Sequence, residues 1–309
     1  MKHRLLAATA AFAFSLSAIG FAEMIEYQGP PDALPHDQYK NVVSERVSPV
    51  MQTYIKSADG AYVAAAIRKP RGDGPFPAII IFHGAPGGRG MEQLVGWSRG
   101  DHGGPVWERF LQEGFVVAVA DYRGGDWDLM NQPSELPLTT AIDDGLAVIA
   151  HVESLEYVDA TRVSIYGVSL GGNLVMYLAS KKPTLHAVVA GAPAPMWFLG
   201  TRSTSLRELT TDLDTSFARA NIEPIATPIL IQVGTADSLL EIDRTLHDQL
   251  DALGKDVRME IYEHGYHDFV LGPQGQERRD LPQGEILLQG ALDALERSLA
   301  FVKSGRLSN

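Results

Sequence analysis

Short, continuous apolar runs alternate with helical patterns along most of this chain. Runs such as Pro77–Phe82 and Phe115–Ala120 carry almost no polar residue, which is typical of strands that are buried on both faces of a sheet. Between such runs, apolar residues recur at helical spacing, as at Ile142, Leu146 and Ile149. The alternation predicts an α/β fold, with a mostly parallel sheet and helices on both faces. Sheets of this kind place their sites beyond the carboxyl ends of the strands.

The same patterns outline the rest of the main domain, which we assign to residues 47–309. They predict a hairpin from Met51–Lys56 and Tyr62–Lys69. Further strands are predicted at Arg162–Tyr166, His186–Ala190, Pro228–Val233 and Arg258–Tyr262. Helices are predicted at Val106–Glu113, Thr139–Ser154, Asn173–Ser180, Leu239–Leu253 and Glu285–Val302. One stretch, residues 194–227, interrupts the alternation and carries apolar residues at helical spacing. It predicts a small helical cap that is inserted between two strands and overhangs the site; an ordinary surface loop is the alternative.

The N-terminus has a pattern of its own. Two basic residues precede an apolar run, Leu5–Phe21, and the small residues Gly20 and Ala22 stand at the two positions that a signal peptidase reads. We therefore expect residues 1–22 to be a cleaved signal peptide and the protein to be exported, to the periplasm or out of the cell. An uncleaved anchor is the alternative, because the run approaches the length that spans a bilayer. Residues 23–46 predict an extended surface arm.

Composition restricts the partners and the chemistry. The formal net charge is −12, and an acidic surface does not favour a nucleic-acid partner, because phosphate binding needs basic residues. The chain has no cysteine, which excludes disulfides, a thiolate nucleophile and thiolate metal ligands. The histidines show no metal-ligand spacing, and no glycine-rich loop has the lysine of a phosphate-binding motif. The sequence thus predicts neither a metal nor a cofactor.

One serine stands where a strand is predicted to turn into a helix. The segment Gly167-Val168-Ser169-Leu170-Gly171 follows a predicted strand and opens a predicted helix, and this is the context that a G-x-S-x-G nucleophile elbow requires. Small residues on both sides let the strand and the helix approach closely. We therefore predict that Ser169 is a nucleophile rather than a serine that only caps a helix.

A serine nucleophile needs a base, and the base needs a group that fixes its tautomer. In this type of fold the chain order is serine, then an acid, then histidine. Asp237 comes just past the carboxyl end of a predicted strand, whereas the competing Asp243 lies inside the next helical pattern. Two histidines, His264 and His267, occupy the loop after the last predicted strand, and either could reach the serine.

Two backbone N–H groups are candidates for an oxyanion hole. The Leu170 N–H lies at the start of the predicted helix, where it has no intrahelical acceptor. The second candidate is in the glycine-rich segment after the first buried strand, where Pro86 is excluded because it has no N–H. Ala85 is the first choice and Gly87 the second; a glycine-rich turn without a catalytic role is the alternative.

Several segments, in this order, resemble the catalytic domain of prolyl oligopeptidase-like serine hydrolases and, more loosely, dienelactone hydrolase-like esterases. They are His83-Gly84-Ala85-Pro86-Gly87-Gly88, Asp121-Tyr122-Arg123-Gly124-Gly125, Asp143-Asp144, Tyr157-Val158-Asp159, Arg162-Val163, Gly167–Gly172, Gly234 with Asp237, and His267-Asp268-Phe269. The resemblance implies an α/β-hydrolase fold and a Ser169–His267–Asp237 triad. In such families a phenylalanine commonly follows the histidine within two residues, which favours His267 over His264.

The sequence departs from the peptidases of this group in two respects. They usually carry an aromatic residue after the nucleophile, where this chain has Leu170, and too few residues precede the sheet for a β-propeller. Hydrolysis of a small carboxylic ester or related acyl compound is therefore the first hypothesis. A small peptidase or acylaminoacyl hydrolase is the second, and a non-catalytic binding protein on the same fold is the third.

Overall fold

A computed structural model describes residues 23–25, 46, 48–99, 104–124, 137–201, 214–271 and 284–306. Nine strands of this part of the chain form one sheet. They are β1 (Glu23–Ile25), β2 (Met51–Lys56), β3 (Tyr62–Arg68), β4 (Phe76–Phe82), β5 (Val116–Ala120), β6 (Val158–Ser169), β7 (Val188–Pro193), β8 (Ile229–Gly234) and β9 (Val257–Tyr262).

The strand order is β1-β9-β8-β7-β6-β4-β5-β3-β2. The β2–β3 and β3–β5 pairs are antiparallel, and the other six pairs are parallel. Because parallel neighbours end at the same edge, the loops after β4, β6, β8 and β9 all start from one edge of the sheet. This edge is where the sequence predicts the site.

Helices cover both faces of the sheet. They are α1 (Met91–Ser98), α2 (Gly104–Gln112), α3 (Pro137–Glu153), α4 (Leu170–Lys181), α5 (Thr215–Ile222), α6 (Leu240–Ala252) and α7 (Gly284–Ser304), with a short 3₁₀ turn at Phe269–Leu271. Alternate residues of β4 point to opposite faces: Ile80 joins the core under α3, α4 and α6, and Ile81 joins the core under α1, α2 and α7. Every described residue of β5 is buried, as the continuous apolar run predicts.

The predicted α/β-hydrolase architecture is confirmed, and several elements differ from the prediction. Strand β7 spans Val188–Pro193 instead of His186–Ala190, and the short strand β1 was not predicted. Strand β6 begins at Val158, four residues before the predicted start, because polar residues that are partly exposed interrupt its apolar pattern. Helix α4 begins at Leu170 rather than Asn173. Helix α1 has no counterpart among the predictions; it follows Gly90, whose position carries no side-chain cap to signal a helix start.

The two ends of the predicted domain plan are only partly described. Residues 1–22, the predicted signal peptide, lie outside the described residues, as does most of the predicted arm. Glu23–Ile25, at the start of that arm, pairs in parallel with β9 at the edge of the sheet. In the predicted cap, α5 packs Ala218 and Ile222 into the core, while residues 202–213 lie outside the description, so the cap stays a prediction. No helix in the described part of the chain is both long and apolar enough to span a membrane.

Candidate active site

Ser169 occupies a strained position between β6 and α4. Its backbone has φ 55° and ψ −117°, a region that L-residues rarely adopt and that costs about 1–3 kcal/mol. The turn is tight enough that a Cβ on Gly167 would clash with the Gly171 backbone, and one on Gly171 would clash with the Phe82 carbonyl. Glycines are therefore required on both sides of the serine, and the strain holds its side chain clear of the strand and the helix.

The structure brings Ser169, His267 and Asp237 together from three separate loops. His267 Nε2 lies 2.8 Å from Ser169 Oγ, and His267 Nδ1 lies 3.0 Å from Asp237 Oδ2. A carboxylate only accepts hydrogen bonds, so it places the proton of a neutral imidazole on Nδ1. Nε2 is then free to accept the serine proton, as a general base must.

Burial and charge set the electrostatics of this group. The Asp237 side chain is fully buried, and its Oδ1 accepts a hydrogen bond of 2.9 Å from the Leu239 N–H. Burial lowers the pKa of His267, but the hydrogen bond and charge of Asp237 and the charge of Asp268 outweigh it, so the pKa lies above its usual value of 6.5. The site therefore stabilises the imidazolium that forms when the histidine takes a proton.

The competing residues do not share this geometry. His264 is 46% exposed, and its Nε2 lies 3.5 Å from Glu263 Oε1; it has a φ of 60° and no bond to the serine. Asp243 is fully buried in α6, and neither of its carboxyl oxygens has a hydrogen-bond partner. Burial, and then the charge of Asp237, raises the pKa of Asp243 well above its usual value, which favours the neutral form of this acid.

The loop after β4 approaches the serine from the other side. A Cβ placed on Gly84 would lie 3.3 Å from Ser169 Cβ, and Ala85 lines the same cavity as Ser169 and His267. The Ala85 carbonyl accepts a hydrogen bond of 2.5 Å from Arg89 Nη2. Leu170 is the first residue of α4, where backbone N–H groups have no intrahelical acceptor. The two predicted oxyanion residues thus flank the serine, whereas Gly87 does not line the cavity.

The cavity beside Ser169 has a volume of about 430 Å³, within the usual range for small-molecule sites. Much of its wall is apolar: Ile81, Trp97, Trp107, Val119, Val168 and Leu271. Arg89, Gln93 and Asp268 supply polar groups. Of the four tryptophans in the sequence, Trp97 and Trp107 line the cavity, Trp197 packs against the core, and Trp127 lies outside the described residues.

The described residues contain no group of three or more His, Cys, Asp or Glu side chains that could hold a metal ion.

The sequence analysis gives no role to Arg89 and Gln93, which line the cavity, or to Asp121, which accepts hydrogen bonds from the loop after β4. Asp121 directly follows the carboxyl end of β5, and that placement is the signal that could have pointed to it.

Comparison with known proteins identifies the family of this chain. The dienelactone hydrolase family profile matches residues 63–280, which include the loop after β4, Ser169, Asp237 and His267. The chain belongs to the dienelactone hydrolase family. Among curated proteins, it is 33% identical over 132 residues to the quorum-quenching protein AidA of Acinetobacter baumannii, covering 42% of this chain and 40% of that protein.

One further curated protein and two solved structures are similar to this chain. Cutinase est1 of Thermobifida alba is 28% identical over 211 residues, covering 65% of this chain and 63% of the cutinase; the alignments thus span less than two thirds of either curated relative. Among solved structures, a putative dienelactone hydrolase from Klebsiella pneumoniae superposes with a TM-score of 0.61 at 21% identity, covering 82% of this chain and 98% of that one. The Pyrobaculum calidifontis esterase gives 0.57 at 19%, covering 87% and 88%. At these identities the structures support the fold alone.

Proposed function

We propose that this member of the dienelactone hydrolase family hydrolyses carboxylic esters through an acyl-enzyme on Ser169. The observation that carries the proposal is the continuous hydrogen-bonded chain from Ser169 Oγ through His267 to the buried Asp237 carboxylate, at 2.8 Å and 3.0 Å. A serine that served only to cap a helix would need neither of these partners.

The reaction proceeds in two acyl transfers. Ser169 Oγ attacks the ester carbonyl carbon while His267 Nε2 takes the hydroxyl proton, and the N–H groups of Leu170 and Ala85 bind the oxyanion. The tetrahedral intermediate collapses with loss of the alcohol, which receives the proton from His267. Water then attacks the acyl-enzyme with His267 again as base, and the carboxylic acid leaves as Ser169 regains its proton. Asp237 stabilises the imidazolium in both halves, and no cofactor takes part.

The cavity supports a small acyl substrate. An apolar wall beside the serine favours an alkyl or aryl acyl group, and a volume of about 430 Å³ suits a compound of modest size. The curated relatives named as cutinases point to ester bonds. The alternative of a small peptidase comes from the resemblance of the sequence to prolyl oligopeptidase-like hydrolases. A solved putative dipeptidyl aminopeptidase IV from Bacteroides ovatus shares the fold at 16% identity, and no described feature of the site favours a peptidase. A binding protein would not need the complete triad.

The test is a panel of 4-nitrophenyl esters of rising acyl length, beside aminoacyl and prolyl anilides. Ser169→Ala is compared with Ser164→Ala, a matched control because Ser164 is fully buried on the same strand, β6. We expect ester turnover with silent anilides, lost in Ser169→Ala and kept in Ser164→Ala. Turnover that survives in Ser169→Ala would refute the serine mechanism, and turnover of anilides alone would refute the ester preference.

We also propose that the chain is exported after cleavage behind Ala22. Glu23 would then be the first residue, and Glu23–Ile25 would provide the strand that pairs with β9. The intact mass of the protein, recovered from the periplasm or the medium of an expressing bacterium, tests this proposal. A mass that includes residues 1–22 would contradict it.

A further inference from the structure

A second histidine–aspartate pair lies on the other side of Ser169, in the loop after β4. His83 is 7% exposed, and both nitrogens of its ring have a partner. Nδ1 lies 2.7 Å from the Gly84 carbonyl oxygen, and Nε2 lies 3.1 Å from Asp121 Oδ1. The ring also stacks on Tyr122, with centroids 4.7 Å apart and planes 20° apart. These contacts fix the ring, so it cannot rotate or shift unless the loop after β4 also moves.

Asp121 is a strong acceptor. Besides His83, its two oxygens accept hydrogen bonds from four backbone N–H groups at 2.8–3.1 Å, those of Gly88, Arg89, Gly90 and Tyr122. Burial raises the pKa of Asp121, but the bonds from His83 and from the backbone outweigh it, so the pKa lies below its usual value of 3.8. The carboxyl group is therefore ionised and can only accept.

The partners of His83 define the direction of its hydrogen bonds. A carbonyl oxygen and a carboxylate are both acceptors, so a ring nitrogen that bonds to either of them must donate. A contact left unmade in a buried site is costly, so the Gly84 carbonyl and Asp121 together hold the ring in one orientation. The Trp97 ring, with its centroid 5.3 Å from that of His83, packs against it as well.

One peptide group connects the His83 Nδ1 contact with the proposed oxyanion hole. The Gly84 carbonyl belongs to the same peptide plane as the Ala85 N–H, the proposed second oxyanion donor. A donor on that carbonyl fixes the orientation of the plane and polarises the N–H at its other end. Tyr122 Oη, which donates to the His83 carbonyl at 2.8 Å, holds the preceding peptide group in the same way.

We propose that His83, paired with Asp121, is a positioning residue that orients and polarises the Gly84–Ala85 peptide group for oxyanion binding. The inference rests on the proposed acyl transfer at Ser169 and deepens it. His83 lines the cavity, and the inference gives it a role through the Gly84–Ala85 peptide group rather than through contact with the substrate. The pair acts on the transition state and not on the bound ester, because the oxyanion exists only there.

The kinetic test compares His83→Gln and Asp121→Asn with Glu108→Gln. The last is a matched control, since Glu108 belongs to another buried ion pair, with Arg68 at 2.8 Å, and does not line the cavity. With the best 4-nitrophenyl ester, we expect kcat to fall about 10- to 100-fold in the two test variants with little change in KM, less than the 10²–10³-fold loss for removing an oxyanion donor outright. Glu108→Gln should keep the wild-type kcat.

A boronic acid of matching acyl length provides a second readout, because its serine adduct imitates the tetrahedral intermediate. Its inhibition constant should weaken by the same factor as kcat in His83→Gln and Asp121→Asn. Unchanged kcat in both variants, a change in KM alone, or unchanged boronic acid affinity would each overturn the inference. Such results with an active wild type and an inactive Ser169→Ala would leave the proposed function intact.

Discussion

The two histidine–aspartate pairs that flank Ser169 have nearly the same spacing and opposite requirements. His267 lies 3.0 Å from Asp237 and His83 lies 3.1 Å from Asp121. The far nitrogen of His267 faces a serine hydroxyl, which can donate, so this histidine can be neutral and act as a base. The far nitrogen of His83 faces a carbonyl, which cannot donate. The atom that faces the ring nitrogen on the side away from the aspartate therefore decides whether that nitrogen can accept a proton.

The two histidines also differ in their exposure to solvent. The His267 side chain is 43% exposed, as a group that must exchange protons with substrate and water needs to be. His83 is buried between Tyr122 and Trp97, where it contacts the Asp121 carboxylate, to which four backbone N–H groups also donate. The loop after β4 thus has a rigid internal anchor, while the loop after β9 presents a titrating group to the cavity.

The largest effect should separate the two histidines of the last loop. We expect His267→Ala to lower kcat for ester hydrolysis by about 10⁴-fold or more, because the serine loses its base. His264→Ala should stay within about threefold of the wild type, since His264 has no bond to Ser169. Initial rates with the best ester measure both. Equal losses at the two positions would show that His267 is not the specific base.

A smaller loss should distinguish the two buried aspartates after β8. Asp237→Asn offers His267 an amide that stabilises the wrong tautomer, and kcat should fall by up to about 10⁴-fold. Asp243→Asn replaces an acid whose neutral form is favoured by a neutral side chain of the same shape, so kcat should remain near the wild-type value. The same assay with both purified variants, checked for folding by circular dichroism, decides this. A large loss in Asp243→Asn would give that residue a role that the geometry does not explain.

The pH dependence should reveal the charge that surrounds His267. Because its pKa lies above 6.5 and the base must be neutral, kcat/KM should rise with pH and reach half its plateau above pH 6.5. Asp268→Asn removes a charge that raises this pKa, so the midpoint should move to lower pH. Glu263→Gln is the control, because Glu263 pairs with His264. A midpoint that moves equally in both variants would mean that His267 does not govern the acid limb.

These comparisons also show what the sequence could predict. The elbow at Ser169 and the acid at Asp237 are local patterns, because each follows the end of a recognisable strand. The resemblance to known families was needed to favour His267 over His264, since the difference lies in backbone direction within one loop. Asp121 and His83 are 38 residues apart in the chain. Each directly follows the carboxyl end of a predicted strand, but the sequence does not show that these two strands are neighbours in the sheet. Helix α1 was not predicted for a different reason: its first turn has no side-chain cap that would signal a helix start.

The smallest effect concerns stability, and it should have opposite signs at two buried aspartates. The folded-state pKa of Asp121 is lowered, so its contribution is present above its unfolded value of about 4 and lost as pH falls through the folded value. Asp121→Asn should therefore reduce the free energy of unfolding by about 2 kcal/mol at pH 7, with a gap in Tm that narrows toward pH 3.

Asp243 should behave in the reverse way, because its folded-state pKa is raised. Its carboxyl group costs stability once pH exceeds the unfolded value, since the unfolded chain can ionise and the folded chain resists it. Asp243→Asn removes that cost, so its Tm should exceed the wild-type Tm at pH 7 and approach it near pH 3. Thermal unfolding by circular dichroism across this range measures both variants. An equal decrease in Tm for both variants at pH 7 would contradict this prediction. It would mean that the carboxylate of Asp121, which binds the loop after β4, and the buried acid Asp243 in α6 affect stability in the same way.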